Sequence, residues 1–167
     1  MNIDWNAKVK EALDRTEFMA ISTVGPDGSW TCPVQFGYSE KVDLYFKSMP
    51  QSKHVQNILK DSRVSGAIFK TERFANREVM GLQFKGTAER LTDRDSVTEA
   101  ARCMYGRDPR KLDYRTKVDE HLGASATWNF FKITLYELWC FDSRVFDEER
   151  LQVELGGLKV DFRSYNS

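Results

Sequence analysis

Cysteine is scarce in this sequence, and the few cysteines are scattered. Cys32, Cys103 and Cys140 are the only three among 167 residues, and none belongs to a CxxC pair. An odd, sparse set argues against a disulfide framework and suits a reducing compartment. The N-terminal residues also lack the apolar segment of a signal peptide. We therefore expect a cytoplasmic protein.

Histidine, single-sign charge and long apolar runs are also in short supply. The two histidines, His54 and His121, have no cysteine or carboxylate cluster at ligand spacing, so we expect no metal site. The 25 basic and 25 acidic residues cancel, which disfavours nucleic acid and anionic membranes as partners. No apolar run approaches the ~20 residues that a membrane span needs.

Two common catalytic signatures are absent as well. The chain has no G-x-S-x-G elbow and no G-x-G-x-x-G after a strand. Neither a serine hydrolase nor a Rossmann dinucleotide site is therefore indicated. Glu137 and Asp142 are interpreted as exposed residues near a strand end, so a mechanism based on paired carboxylates gains no support.

The length of 167 residues predicts a single domain over residues 1–167. Alternating apolar residues predict that this domain is an antiparallel β protein. Turn residues such as Pro26-Asp27-Gly28 separate the strands. The predicted strands are residues 18–24, 29–38, 42–47, 63–70, 79–90 and 129–142. Pro33 belongs at a strand edge because it lacks an N–H, and Gly37 indicates a bulge or a close backbone approach. Six or seven such strands suggest a closed or partly closed β-barrel with helical decoration.

Helices are expected at a few fixed insertions. The first covers residues 4–16 and is capped by Asp4. A later helix is expected to be capped by Thr92 and to end near Gly106. Residues 109–122 are predicted to form a further helix, whereas the charged residues 71–78 are predicted to be a loop.

The stretch 42–64 joins a strand to a short helix. Ser48 ends the strand, Ser52 stands at the expected N-cap, and Lys53 and His54 occupy the first turn. The apolar face of this helix is expected to hold Val55, Ile58 and Leu59. Free N–H groups and hydroxyls at such a place suit an anion such as phosphate. From this stretch alone an ordinary capped helix after a strand is favoured, and the anion site stays open as the alternative.

Aromatic residues are concentrated near the last strand. Such residues pack in the core in most β proteins, although a planar redox ring would also suit them as neighbours. They are Trp128, Phe130, Phe131, Tyr136 and Trp139.

Three segments are informative together: FMAISTVGPDGSWTCPVQFGY, LYFKSMPQSKHVQNILKDSRVSGAIF and LQFKGTAERL. In this order and spacing, from about Phe18 to Phe146, the chain resembles the pyridoxamine 5'-phosphate oxidase-like family of FMN-binding split β-barrels. The resemblance implies an FMN-binding flavoprotein and an oxidoreductase for an unidentified small molecule. It also implies a small-molecule electron donor and acceptor, and a homodimer with the flavin at the subunit interface.

The same resemblance implies which residues contact the cofactor. The strand of the first hairpin and a late tryptophan would surround the ring, and the strand end with the helix start would hold the phosphate. The implied residues are Cys32, Pro33, Val34, Gln35, Phe36, Gly37, Gly81, Gln83 and Trp139 for the ring, and Ser48, Ser52, Lys53 and His54 for the phosphate. Lys47 is a further expected cofactor contact.

The chain departs from the true pyridoxamine phosphate oxidases at their substrate positions. Those enzymes have an arginine where this chain has Cys32 and a lysine where it has Gly37. Their late Arg-x-His-x-Arg motif is missing, because the segment after Trp139 contains only Arg144. We therefore expect no useful oxidation of vitamin B6 phosphates.

Other functions on the same barrel stay open. One is a non-catalytic module that binds flavin or haem. Another is a deazaflavin-dependent reductase, which would need a more basic groove for the acidic tail of that cofactor. A third is an OB-like barrel for nucleic acid, which would show a basic, aromatic face.

Overall fold

The computed structural model describes residues 3–70, 79–106, 118–123, 125–146 and 149–161. The strands in this part of the chain are β1 (Phe18–Gly25), β2 (Gly28–Tyr38), β3 (Leu44–Ser48), β4 (Arg63–Phe69), β5 (Met80–Arg90), β6 (Asn129–Asp142) and β7 (Arg150–Gln152). The helices are α1 (Trp5–Asp14), α2 (Lys53–Ile58) and α3 (Arg94–Tyr105).

The strands form one antiparallel sheet that closes on itself. Their order is β3-β2-β1-β4-β5-β6-β7, and β3 also pairs with β6, so six strands complete a barrel to which β7 is added. Closure pairs the edges that an open sheet would leave exposed. The described architecture confirms the expected antiparallel, mainly β split barrel.

The predicted strands agree with the observed ones to within two residues. The last predicted strand, 129–142, coincides with β6. The largest difference is at β3, which begins at Leu44 rather than at Val42. Val42 has a φ of 64° and donates its N–H to the Ser39 carbonyl at 2.9 Å. It belongs to the turn between β2 and β3, so the predicted strand 42–47 began too early.

The barrel interior is filled by alternate residues of each strand. Phe46 of β3 and Phe131 of β6 stack at 5.0 Å between ring centroids, and both are fully buried. Burial of a large apolar side chain contributes roughly 1.5–3 kcal/mol. The intervening residues face outward, and their pattern determines what the outer surface of the barrel can bind.

Helix α1 is attached to the barrel by a network of charges. Asp4 caps the helix by accepting the Ala7 N–H at 3.1 Å, as predicted. Lys8 of α1 and Arg144 approach the Asp142 carboxylate to 2.9 Å and 2.7 Å. The Asp142 side chain is fully buried, so the interpretation of this residue as exposed is wrong. The reason is that α1 covers the end of β6.

Helix α2 covers the part of β2 that β3 leaves unpaired. β3 pairs with β2 only over residues 36–38, whereas β1 pairs with β2 over residues 28–35. Pro33 lies in this one-sided part, which confirms its expected edge position. Val55 and Ile58 are buried as expected, but Leu59 is 57% exposed because the helix ends before it.

Helix α3 packs on the outer side of β2 and β3. Its cap is Asp93, whose side chain accepts the Ser96 N–H at 2.9 Å, so the prediction of Thr92 was wrong by one residue. Gly106 terminates the helix as expected. The predicted loop 71–78 lies outside the described residues. The predicted helix 109–122 does so as well, apart from a short 3₁₀ turn at residues 118–121.

Candidate functional site

Three polar side chains meet where β3 gives way to α2. The Ser48 hydroxyl lies 2.7 Å from His54 Nε2 and 3.2 Å from the Ser52 hydroxyl. Ser52 Oγ also lies 3.4 Å from His54 Nε2. Ser48 and His54 are buried, and Ser52 is half-buried. The structure therefore brings together three of the four residues expected to hold the phosphate, and we call Ser48, Ser52 and His54 the hydroxyl–imidazole cluster.

The local geometry determines which hydrogen bonds the cluster already makes and which charge it carries. Ser52 stands at the N-cap of α2, yet its hydroxyl donates to the Met49 carbonyl at 2.8 Å instead of capping the helix. Burial lowers the pKa of His54, so the ring is neutral at physiological pH. A neutral imidazole beside two hydroxyls can donate or accept hydrogen bonds but adds no charge.

Lys53 points away from the cluster. Its ammonium lies 3.2 Å from the Asp27 carboxylate and 4.9 Å from the centroid of the Trp30 ring. Both partners belong to the β1–β2 hairpin, so Lys53 links α2 to that hairpin. A half-exposed ion pair of this kind contributes at most about 1 kcal/mol, so the lysine can exchange partners at low cost.

Lys47 lies on the opposite face of β3 from Ser48, because successive residues of a strand alternate. Its ammonium is 5.3 Å from the centroid of the Tyr105 ring and 5.5 Å from that of Trp128. Two aromatic faces therefore hold the cation beside α3. The structure does not place Lys47 with the hydroxyl–imidazole cluster.

Asn129 lies next to the cluster, although no sequence motif points to this residue. It is the residue of β6 directly opposite Ser48, and it is 1% exposed. Its amide nitrogen has no hydrogen-bond acceptor in the structure of the described residues. The signal that identifies it is the register of β3 against β6, which joins positions 81 residues apart in the chain.

A groove of about 600 Å³ runs across the outer face of β1, β4, β5 and β6. Small side chains form its middle, because Ala20 lies opposite Ala67 and Ser22 lies opposite Ser65. At one side Gln83 of β5 is paired with Trp139 of β6. The structure thus places these two predicted ring contacts side by side on one open surface.

Glu137 fixes the indole of the groove. Its carboxylate accepts hydrogen bonds from Trp139 Nε1 at 2.9 Å and from Lys85 Nζ at 3.0 Å. The hydrogen bonds from Trp139 and from Lys85 lower the pKa of Glu137, so the carboxylate is charged. Glu137 lies within β6 rather than near its end, so the interpretation of this residue as a strand-end group is wrong.

The predicted ring-binding strand contributes two different surfaces. Cys32, Val34 and Phe36 pack toward the core, whereas Pro33 and Gln35 face outward. Burial raises the pKa of Cys32, which therefore remains a thiol. Only the outward residues and the backbone can meet a ligand in the groove.

Two predicted glycines are closely covered by neighbouring chain. A Cβ at Gly37 would stand 2.3 Å from the Cys103 carbonyl oxygen, which confirms the expected close backbone approach. A Cβ at Gly81 would stand 2.5 Å from the Ile68 carbonyl oxygen and 2.6 Å from the Phe141 ring. Contact of either glycine with a cofactor would have to be made by its backbone.

One family model matches the chain. The family is described as "Pyridoxamine 5'-phosphate oxidase", and the match covers residues 6–122. This range includes α1 except for Trp5, the first five strands, α2 and α3, and it contains both the hydroxyl–imidazole cluster and most of the groove. The search of curated protein sequences finds no match.

Solved structures with the same fold are numerous, at low sequence identity. A heme binding protein from Mycobacterium smegmatis has a TM-score of 0.68 and 14% identity, with 93% of this chain and 60% of that chain covered. A conserved hypothetical protein from Mycobacterium tuberculosis has a TM-score of 0.70 and 15% identity, covering 91% and 93%. A FAD-binding protein from Mesorhizobium loti has a TM-score of 0.60 and 18% identity, covering 81% and 93%. At these identities the likeness shows the fold alone.

None of the helices among the described residues combines the length and the apolar character that crossing a bilayer requires.

Proposed function

Since the chain belongs to the family described as pyridoxamine 5'-phosphate oxidase, we propose that it is an FMN-binding oxidoreductase. Its substrate is a small molecule other than a vitamin B6 phosphate. The observation that carries the proposal is the outer groove, whose small floor residues lie beside Gln83 and Trp139. The name of the FAD-binding relative with the same fold supports a flavin nucleotide as the ligand.

The groove suits a flat, partly polar ring. Ala20 and Ala67 are short enough for a planar group to approach the sheet closely. The Gln83 amide offers both a donor and an acceptor to the polar edge of such a ring. Trp139 offers an aromatic surface beside it. These features are those of small-molecule sites, which are mostly apolar with a few placed polar groups.

The hydroxyl–imidazole cluster suits a phosphate ester. Ser48 and His54 can donate hydrogen bonds to phosphate oxygens, and Ser52 can do so once its hydroxyl leaves the Met49 carbonyl. Lys53 would add a full charge once it leaves Asp27.

When bound, the flavin supplies the redox chemistry, since it can accept and release electron pairs. The chain's own residues would bind the flavin and orient it in the groove. Glu137, held by Lys85, keeps the Trp139 indole at one angle, so that wall of the groove is preorganised. Cys32 is a half-buried thiol whose pKa is raised by burial, which makes it unsuited to nucleophilic attack.

A second copy of this chain is the proposed partner. Phe18 and Phe69 are 55% and 44% exposed on the outer face, next to the groove. Exposed aromatics beside a polar surface are typical of a protein–protein interface. A partner subunit there would also exclude water from a ring bound in the groove.

The substrate positions argue against vitamin B6 phosphates. A lysine cannot replace Gly37 without displacing the Cys103 backbone. Arg144 is bonded to Asp142 and Glu11, so its charge is already matched within the protein. Neither Gly37 nor Arg144 therefore offers an uncompensated positive charge to the phosphate of such a substrate.

Absorbance spectroscopy of the purified protein, with and without added FMN, tests the proposal. We expect a flavin spectrum and a stoichiometric titration. A Soret band on addition of hemin, with no flavin binding, would instead favour the haem-binding alternative. Binding of FMN without reduction by nicotinamide or other donors would favour a non-catalytic flavin module.

A further inference from the structure

Asn129 carries a buried hydrogen-bond donor for which the described part of the chain offers no acceptor. The side chain is 1% exposed, and its Nδ2 has no acceptor among the described residues. Buried polar groups are hydrogen-bonded in the great majority of cases, and an unpaired one is destabilising. Such a group indicates a missing partner.

The position of Asn129 shows where that partner would lie. Asn129 and Ser48 are directly opposite in the antiparallel pair of β3 and β6, so both side chains project from the same face of the sheet. Ser48 Oγ is 2.7 Å from His54 Nε2 and 3.2 Å from Ser52 Oγ. The unused amide therefore borders the hydroxyl–imidazole cluster.

We propose that Asn129 is a phosphate-binding residue, whose amide N–H completes the set of donors that Ser48, Ser52 and His54 form for the phosphate of the flavin nucleotide. The inference rests on the proposed function, because it identifies how that same ligand is held. A phosphate monoester matches the cluster, since it presents three acceptor oxygens and no apolar surface. The amide and hydroxyl donors would hold the phosphate by directed hydrogen bonds, and Lys53 would add a positive charge.

Two substitutions of asparagine to leucine of similar size separate binding from stability. Asn129→Leu removes the unpaired donor and should raise the melting temperature of the ligand-free protein. Asn57→Leu is the matched control, because Asn57 is also buried but its Nδ2 donates to Thr23 Oγ1 at 3.1 Å. That variant should lower the melting temperature and leave the preference for FMN over riboflavin unchanged.

Fluorescence titrations with FMN and with riboflavin measure the preference for the phosphate. For Asn129→Leu we expect FMN affinity to fall about ten- to a hundred-fold, the range for one hydrogen bond to a charged group. Riboflavin affinity should change little, because riboflavin has no phosphate. Inorganic phosphate should compete with FMN in the wild type and much less in this variant.

The outcomes distinguish this inference from the proposed function. A wild type that binds neither flavin overturns both. A wild type that binds riboflavin as tightly as FMN keeps the flavin site but overturns the phosphate site at Asn129. Equal losses of the two flavins in Asn129→Leu, or no loss of either, would show that the amide has only a structural role. Asn129→Asp gives a second test, since a carboxylate there should repel FMN and leave riboflavin bound.

Discussion

The carbonyl group of Cys103 lies directly against the α-carbon of Gly37. A Cβ at position 37 would stand 2.3 Å from the Cys103 oxygen and 2.6 Å from the Met104 nitrogen. Both atoms belong to the backbone of α3, so they cannot move aside as a flexible side chain could. The absence of a side chain at Gly37 therefore sets how closely α3 packs on β2.

Replacement of Gly37 should destabilise the protein. For Gly37→Ala we expect a loss of roughly 1–3 kcal/mol in the free energy of unfolding, the range for overpacking. Urea denaturation measures it. Gly156→Ala is the control, because nothing lies within 4 Å of a Cβ at that position. Equal stability of the two variants would mean that α3 is free to shift.

Pyridoxamine 5'-phosphate should not be a useful substrate. Gly37 has no room for a lysine, Cys32 stands in place of an arginine, and Arg144 is held by Asp142. We expect flavin-loaded protein to show no turnover above background in an oxidase assay that follows pyridoxal phosphate. Robust turnover would mean that other residues bind the substrate phosphate.

The fold was accessible from the sequence because its signals are local. Alternation defined β6 to the residue, and Pro26-Asp27-Gly28 defined the first hairpin. The errors are also local: Asp93 and Thr92 are adjacent and both can cap a helix, and Val42 looked like a strand residue because valine favours strands. Its turn conformation depends on the bonds of Ser39 to Val42 and Asp43, which no single-residue preference reveals.

The site was only partly accessible because it depends on register. Ser48, Ser52 and His54 are close in sequence, so their cluster could be expected. Asn129 joins them only through the pairing of β3 with β6. Asp142 looked exposed because nothing in its own segment shows that α1 covers it. The partner of Lys53, Asp27, likewise comes from a distant turn.

The buried charge of Asp142 should make the stability of the protein depend on pH in the acidic range. Burial opposes its ionisation, but hydrogen bonds from Arg144 and Lys8 outweigh burial and lower the pKa of Asp142 in the folded state. A group with a depressed pKa stabilises the fold above its unfolded pKa of about 3.9, and this stabilisation is lost as the pH falls toward the folded pKa. Asp142→Asn should cost about 3 kcal/mol at pH 7.

The difference between wild type and Asp142→Asn should shrink below about pH 4, since the carboxylate then gains a proton in the unfolded state while it stays charged in the folded state. Thermal melts across this pH range measure it. Asp61→Asn is the control, because Asp61 pairs with Arg63 at the surface and its loss should have little effect. A constant difference at every pH would show that Asp142 acts through packing rather than charge.

The proposed dimer can be broken at the outer face. Phe18→Asp would place a charge on the exposed apolar surface beside the groove, where desolvation in an interface is costly. Light scattering should give twice 19.4 kDa for the wild type and 19.4 kDa for this variant. Leu59→Asp is the matched control, since Leu59 is similarly exposed but lies at the end of α2. A wild type that is already monomeric would contradict the proposed assembly.

Lys53 and Asp27 together provide a test of the phosphate site. The Lys53 ammonium now lies 3.2 Å from Asp27, so a phosphate must compete with that carboxylate. Lys53→Ala should weaken FMN about ten- to a hundred-fold and leave riboflavin nearly unchanged. Asp27→Asn should instead strengthen FMN binding, because it removes the ion-pair partner of Lys53 and keeps the lysine. The gain should be at most about five-fold, since an exposed ion pair contributes no more than about 1 kcal/mol. Both effects should weaken at high salt because the side chains are exposed. Equal losses of FMN and riboflavin in Lys53→Ala, or no loss of either, would make Lys53 a surface residue that serves only to contact Asp27 and Trp30 among the described residues.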